Sequence, residues 1–135
     1  MAKTKNGFVI IAGHSAGGGD VQNLGWKLKK LGITINLSAQ LDSVEVLSGD
    51  AKIASNVSRA MGFYQNEGLV ITRGEANINA EDAAKTTVTN IRIDKPLGPS
   101  DPGKFPLLSN AYHRNMDNDE RGWGFILNHV QTKLK

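Results

Sequence analysis

The chain has 135 residues, of which 39% are hydrophobic, so we expect a single domain over residues 1–135 with one packed core. Its formal charge of +3 comes with no basic cluster interleaved with aromatic residues, which argues against nucleic-acid binding. The absence of cysteine excludes disulfides and thiolate metal sites. We therefore expect a cytoplasmic protein without metal or cofactor, and we find neither a signal peptide nor a stretch long enough to cross a membrane.

The first predicted element is a strand over Phe8 to Ala12, an apolar run that lies between Gly7 and Gly13. A short continuous apolar run is typical of a strand buried on both faces in a parallel sheet. From Asp20 the pattern changes to helical spacing, and Gly32 provides a C-terminal stop. The apolar positions of this predicted helix are Val21, Leu24, Leu28 and Leu31, and its last turn carries Lys27, Lys29 and Lys30, which suit the helix dipole.

A second predicted strand begins at Ile33 and continues toward Leu41, and Asp42 stands at its carboxyl end. Strand, tight turn, helix and strand form a βαβ unit, which should cross over right-handed with its two strands parallel.

The rest of the chain is less regular. Val57 to Tyr64 is a third predicted strand and Thr86 to Ile93 a short fourth one, within a region rich in Gly, Asn, Asp, Thr and Pro. A terminal helix is predicted from an apolar face of Trp123, Ile126, Leu127, Val130 and Leu134.

The turn after the first strand is the most informative segment. Gly13-His14-Ser15-Ala16-Gly17 has the form G-x-S-x-G, in which small residues allow a serine to sit exposed on a strained turn between strand and helix. The two glycine patterns that cradle phosphates require a lysine after the glycines or a third glycine where Gln22 stands, and neither occurs. Two other interpretations remain open. Ser15 could simply cap the helix, or the glycines could bind a phosphate while Asp42 holds a ribose.

At these residues the chain resembles the α/β-hydrolase family, in particular its lipases and esterases. GHSAGG, residues 13–18, is similar to the nucleophile elbow of that family. LDSV, residues 41–44, resembles a strand end that carries the triad acid, and HRNMDND, residues 113–119, resembles the late histidine loop. The resemblance implies a three-layer α/β/α fold with a mostly parallel sheet.

The resemblance also implies a catalytic triad in the family's chain order, with Ser15 as nucleophile, Asp42 as acid and His113 as general base. His14 is then a neighbour of the site, and His129 belongs to the terminal helix. For His113 an ordinary loop histidine is the alternative. For Asp42 the alternative is to cap the next turn together with Ser43, and the reserve acids are Asp50, Asp94, Asp101, Asp117 and Asp119.

By the family pattern, the backbone N–H of Ala16 is one oxyanion donor, and the second comes from a loop after an earlier strand. Only seven residues precede Phe8, so the N-terminal strands of the family's sheet are expected to be lacking. The first strand would then be a free edge that pairs with another copy or a complementing chain. Because loss of one oxyanion donor costs about 10²–10³ in turnover, we expect weak activity.

Two functions follow. The first is a serine hydrolase that cleaves carboxylic esters of small molecules or lipids through an acyl-enzyme. The alternative is a non-catalytic α/β module that binds a phosphate or nucleotide at the glycine-rich turn.

Overall fold

The computed structural model describes residues 7–44, 52–67, 75–101 and 111–133. Its elements in chain order are β1 (Ile10–His14), α1 (Ala16–Lys30), β2 (Ile35–Leu41), β3 (Val57–Tyr64), β4 (Thr87–Arg92), α2 (Ala111–Asn115) and α3 (Glu120–Lys133). The four strands form one sheet in the order β1-β2-β3-β4, and each neighbouring pair is parallel. The predicted α/β class, its parallel sheet and the βαβ unit are confirmed.

The parallel arrangement places the carboxyl ends of the strands at one edge of the sheet. His14 is in register with Leu41, and Leu41 with Phe63. The residues that follow β1, β2 and β3 therefore emerge side by side. The predicted bounds of the third strand match β3, and the fourth predicted strand is β4 with one residue trimmed at each end.

β1 departs from the sequence prediction in position and in burial. It runs from Ile10 to His14 instead of Phe8 to Ala12, and it is half exposed, with Ile10 at 40%. The reason is its place in the sheet, because among the described residues β1 has one strand neighbour, β2. The sequence predicted that the first strand would be buried on both faces. In the structure β2, which lies between β1 and β3, is the buried strand.

Helix α1 begins at Ala16 rather than Asp20, so the three glycines form its first turn. Two residues of the predicted apolar face pack as expected, since Val21 is buried and Leu28 packs against the core, whereas Leu24 and Leu31 are 41% and 72% exposed. The other buried positions are Gly18, Gln22 and Gly25. Small residues bring the helix close to the sheet: a Cβ on Gly18 would lie 2.4 Å from the Ser43 Oγ. Close approach of the backbone leaves no room there for leucine side chains.

Helix α3 meets the core through fewer residues than predicted. Ile126 is buried and Val130 packs against the same cluster, whereas Trp123 and Leu127 are 37% and 55% exposed. Leu134 lies outside the described residues. The cluster around Ile126 contains Leu37, Ala39 and Leu41 of β2, Met61 and Phe63 of β3, Ile93 and Met116.

Two buried polar side chains fasten the segment 96–100 to the helices that follow it. The Asn115 amide accepts from the Ser100 N–H at 2.9 Å and donates to the Ser100 and Pro96 carbonyls.

The Asp119 carboxylate accepts from the Leu97 N–H at 2.7 Å and from the Arg121 guanidinium. The hydrogen bonds from Arg121 are the largest cause that lowers the pKa of Asp119 from 3.8 to about 2. These contacts fix α2, the short helix on which His113 lies.

Candidate active site

The candidate site lies at the carboxyl edge of the sheet, where Ser15 follows β1, Asp42 follows β2 and Gln65 follows β3. Helix α2 brings His113 to the same edge from a distant part of the chain. The three residues of the predicted triad are thus brought together, and each comes from a different segment.

Ser15 sits in a strained turn. Its backbone has φ 58° and ψ −125°, a conformation that is unfavourable for a residue with a side chain. Three hydrogen bonds hold it there: its N–H donates to the Leu41 carbonyl at 3.0 Å, and its own carbonyl accepts from the N–H groups of Gly18 and Val44. This geometry matches what the G-x-S-x-G pattern requires, because the turn presents the hydroxyl above the strand end.

The two glycines of the pentapeptide have different surroundings. A Cβ on Gly13 would lie 2.2 Å from the Gly17 carbonyl oxygen and 2.9 Å from a Val21 methyl group, so only glycine fits. A Cβ on Gly17 would have no atom within 4 Å. Close packing at the elbow therefore depends on Gly13, and on Gly18 one residue beyond the motif.

His113 links the serine to the acid. Its Nε2 is 2.8 Å from the Ser15 Oγ, and its Nδ1 is 2.6 Å from the Asp42 Oδ2. A carboxylate can only accept hydrogen bonds, so Nδ1 carries the proton, and in the neutral ring Nε2 is free to accept the serine proton. The ring is mostly enclosed, with 16% of the side chain exposed.

Asp42 is fully buried, and it adopts φ 47° directly after β2. Its N–H donates to the Phe63 carbonyl at 2.6 Å, so the sheet fixes the backbone that carries the carboxylate. A buried carboxylate is costly unless hydrogen bonds compensate the lost hydration. Here His113 and Gln65 supply them.

Gln65 is a site residue that the sequence analysis did not single out. It is fully buried, and its Nε2 donates to the Asp42 Oδ2 at 2.9 Å. Its Oε1 accepts from the Glu67 N–H at 2.6 Å, which fixes the amide so that the NH₂ group faces the carboxylate. A glutamine after a strand has no distinctive pattern. The available signal was its position, since Ser15 and Asp42 also follow parallel strands.

His14 braces the segment that carries His113. The His14 Nε2 donates to the His113 carbonyl at 2.7 Å, and the two rings lie 5.0 Å apart. Its Nδ1 faces the Asp117 carboxylate at 3.7 Å. Asp117 thus contacts the neighbour of the candidate base.

The remaining reserve acids have other places. Asp94 pairs with Arg92 and Asp119 with Arg121. Asp101 lies at the end of a described segment, and Asp50 lies outside the described residues.

His129, on α3, is at the amino-terminal edge of the sheet beside Arg59 of β3, away from Ser15.

Ala16 is the first residue of α1, so its N–H is one of the four that have no acceptor within the helix. Ala16 directly follows Ser15 in the chain, so this free N–H could donate a hydrogen bond to an oxyanion that forms at the serine. In the described segments, no group of three or more His, Asp or Glu residues is arranged to hold a metal ion. The helices in these segments are all too short or too polar to cross a bilayer.

Comparison with known proteins returned nothing: no family model, no curated protein and no solved structure matches the chain. The geometry of the site is therefore the basis on which a function can be inferred.

Proposed function

We propose that the protein is a serine hydrolase that cleaves carboxylic esters through an acyl-enzyme. The observation that carries this proposal is the continuous chain of hydrogen bonds from the Ser15 hydroxyl through the His113 imidazole to the Asp42 carboxylate. His113 is 98 residues from Ser15 and 71 from Asp42, so the chain of contacts does not arise from local sequence. A strained serine, a base and a buried acid in this order are the requirements of nucleophilic acyl transfer.

The reaction would proceed in two halves. The Ser15 Oγ attacks the ester carbonyl carbon while the His113 Nε2 takes its proton, and the Ala16 N–H donates to the oxyanion. The intermediate collapses, and the alcohol leaves with the proton from His113. Water then attacks the acyl group and gives a proton to His113, which returns it to Ser15 as the acid is released. Asp42 holds the imidazole tautomer and stabilises the imidazolium throughout.

The same proposal extends to the fold, which would be of the three-layer α/β-hydrolase type. Two observations support it, one for each face of β2. Ile126 of α3 packs with Leu37, Ala39 and Leu41, whereas α1 reaches the intervening position Gln40 through Gln22 at 3.1 Å. Alternate residues of a strand point to opposite faces of the sheet. This pattern supports one helix layer on each face.

Gln65 would serve as a positioning residue for the acid. Its NH₂ group and its backbone N–H both donate to Asp42, the latter at 3.4 Å, and they leave the carboxylate one orientation toward His113. A hydrogen bond to a charged group contributes about 1.5–3 kcal/mol. The contact would therefore stabilise the negative charge on which the imidazolium depends.

The nucleotide-binding alternative loses the feature that favoured it. A ribose would need an accessible carboxylate at Asp42, and that carboxylate is fully buried and bonded to His113 and Gln65. Titration calorimetry with common nucleotides tests the alternative, since heat that saturates at submillimolar nucleotide would restore it.

The proposed function is tested by hydrolysis of p-nitrophenyl acetate and butyrate. Ser15→Ala should reduce the rate to that of the uncatalysed reaction, and the matched control Ser58→Ala, an exposed serine on β3, should leave it unchanged. Equal rates for the protein and its Ser15→Ala variant would refute the proposal.

A further inference from the structure

A cavity of about 300 Å³ lies at the amino-terminal edge of the sheet, opposite the candidate active site. It forms where β2, β3 and β4 begin and where α3 ends. Its polar lining comprises Asn36, Ser58, Arg59, Thr87, His129 and Lys133. None of these residues belongs to the candidate active site.

Two cationic side chains, Arg59 and Lys133, and the imidazole of His129 converge on this cavity, and none of them has a carboxylate partner among the described residues. Within residues 7–44, 52–67, 75–101 and 111–133, the ion pairs involve neither Arg59, His129 nor Lys133. The Arg59 Nε is buried and has no hydrogen-bond partner, while one terminal nitrogen reaches the Thr89 hydroxyl at 3.4 Å. A partly buried guanidinium whose charge has no carboxylate partner is stabilised by an anion that binds at its terminal nitrogens.

The electrostatics of His129 agree with this geometry. Burial lowers its pKa, and the positive charges of Arg59 and Lys133 lower it further. The dipole of α3 accounts for cations near the end of that helix, where His129 and Lys133 lie. It does not account for Arg59, which comes from β3 and adds its charge to that of Lys133. An anion bound between Arg59 and Lys133 would compensate both charges and favour the protonated form of His129.

We propose that this cavity binds a phosphate group. A phosphate or its monoester carries close to two negative charges and several acceptor oxygens, so it can take hydrogen bonds from a guanidinium, an ammonium and an imidazole together. The hydroxyls of Ser58 and Thr87 add neutral donors at the rim. The volume is at the small end of ligand pockets, which suits inorganic phosphate or a small phosphate monoester. The inference does not depend on the proposed hydrolase function.

The test is a titration of the ¹⁵N-labelled protein with inorganic phosphate and, separately, with glycerol 3-phosphate, each against sodium chloride at matched ionic strength. We expect saturable shifts of the amides of Ser58, Thr87 and His129 that chloride does not reproduce. Tighter binding of inorganic phosphate identifies free phosphate as the ligand, and tighter binding of glycerol 3-phosphate identifies a monoester. Shifts that do not saturate, or that chloride reproduces, would overturn the proposal.

Variants link the binding to the cavity. Arg59→Met keeps the aliphatic stem and removes the donors, so phosphate affinity should fall about ten-fold or more through loss of a charge-assisted hydrogen bond. If Arg59→Met does not fold, Lys133→Gln is the alternative variant, because Lys133 is exposed and its replacement should not affect folding. Its phosphate affinity should fall several-fold. Lys27→Gln removes an equal charge from the last turn of α1 and should have no effect. Equal weakening by Lys27→Gln would show general charge attraction and refute a site at Arg59.

Discussion

Asp42→Asn is the substitution whose effect follows most directly from the contacts of the site. The acid accepts on Oδ2 from both His113 and the Gln65 Nε2, and on Oδ1 from the Gln65 N–H at 3.4 Å. An asparagine can satisfy two of these three donors by placing its oxygen at the Oδ2 position and its NH₂ group at the Oδ1 position. Gln65 should therefore keep the asparagine oxygen toward His113, and the imidazole tautomer should be preserved.

The expected loss is then that of the charge alone. Unit charges about 4 Å apart, close to the separation of the carboxylate and imidazolium centres, interact by about 4 kcal/mol at an effective dielectric constant of about 20. That energy corresponds to about 10³ in rate. Esterase kcat of Asp42→Asn should thus fall about 10³-fold with KM little changed, as measured with p-nitrophenyl butyrate.

Two further variants sharpen this prediction. Combining Asp42→Asn with Gln65→Met removes the donor that orients the asparagine, so the double variant should be slower than the product of the two single effects allows. Asp117→Asn is the matched control, because Asp117 is near the His113 segment but contacts His14 at 3.7 Å. The assignment of the acid would be refuted if Asp42→Asn kept the wild-type kcat, or if Asp117→Asn showed the same fall in kcat of about 10³-fold.

The remaining predictions concern Gly13, the buried Asp119 and the edge strand β1. Gly13→Ala should lower the free energy of unfolding by about 3 kcal/mol through overpacking, whereas Gly17→Ala, with open space at its Cβ, should be tolerated; equal urea midpoints for the two variants would contradict this. The folded pKa of Asp119, about 2, lies below its ordinary 3.8, so its contribution of about 2 kcal/mol is present above pH 4 and disappears as the pH falls toward 2. Asp119→Asn should therefore lower stability at pH 7 and make no difference near pH 2 in urea unfolding at the two pH values. Sedimentation should reveal a dimer or larger species paired through β1, and its loss on Ile10→Lys would locate the contact, whereas a strict monomer would exclude edge pairing.

The periodicity of the sequence was sufficient to predict β1 to β4, α1 and α3 in chain order, because these segments carry regularly spaced apolar and β-branched residues. It did not predict α2, since the segment around His113 was expected to be a loop. It predicted only part of the packing faces of the helices. Val21 and Ile126 are buried as expected, whereas Leu24 and Leu127 are exposed. Glycines take further buried positions where α1 and α3 approach the sheet, among them Gly18 and Gly122. The spacing of apolar residues cannot indicate where a helix packs closely through a glycine, because a glycine has no side chain to contribute to the pattern.

The residues of the candidate site differ in how far the sequence alone could predict them. Ser15 follows from a motif between a strand and a helix, and Asp42 from its place after the next strand. The prediction of His113 needed the resemblance to a family, since a histidine in a polar loop has no pattern of its own and α2 is only five residues long. Gln65 was missed because its role consists of contacts, and these exist only once β2 and β3 are paired.

The most direct test of the central claim is reaction of the native protein with a fluorophosphonate probe, followed by peptide mass spectrometry. We expect one adduct, on Ser15, and no adduct in Ser15→Ala. Labelling of His113→Ala should be slower by about 10²-fold or more because the base is gone. An adduct on a different serine, or labelling of Ser15 at the same rate without His113, would contradict that claim.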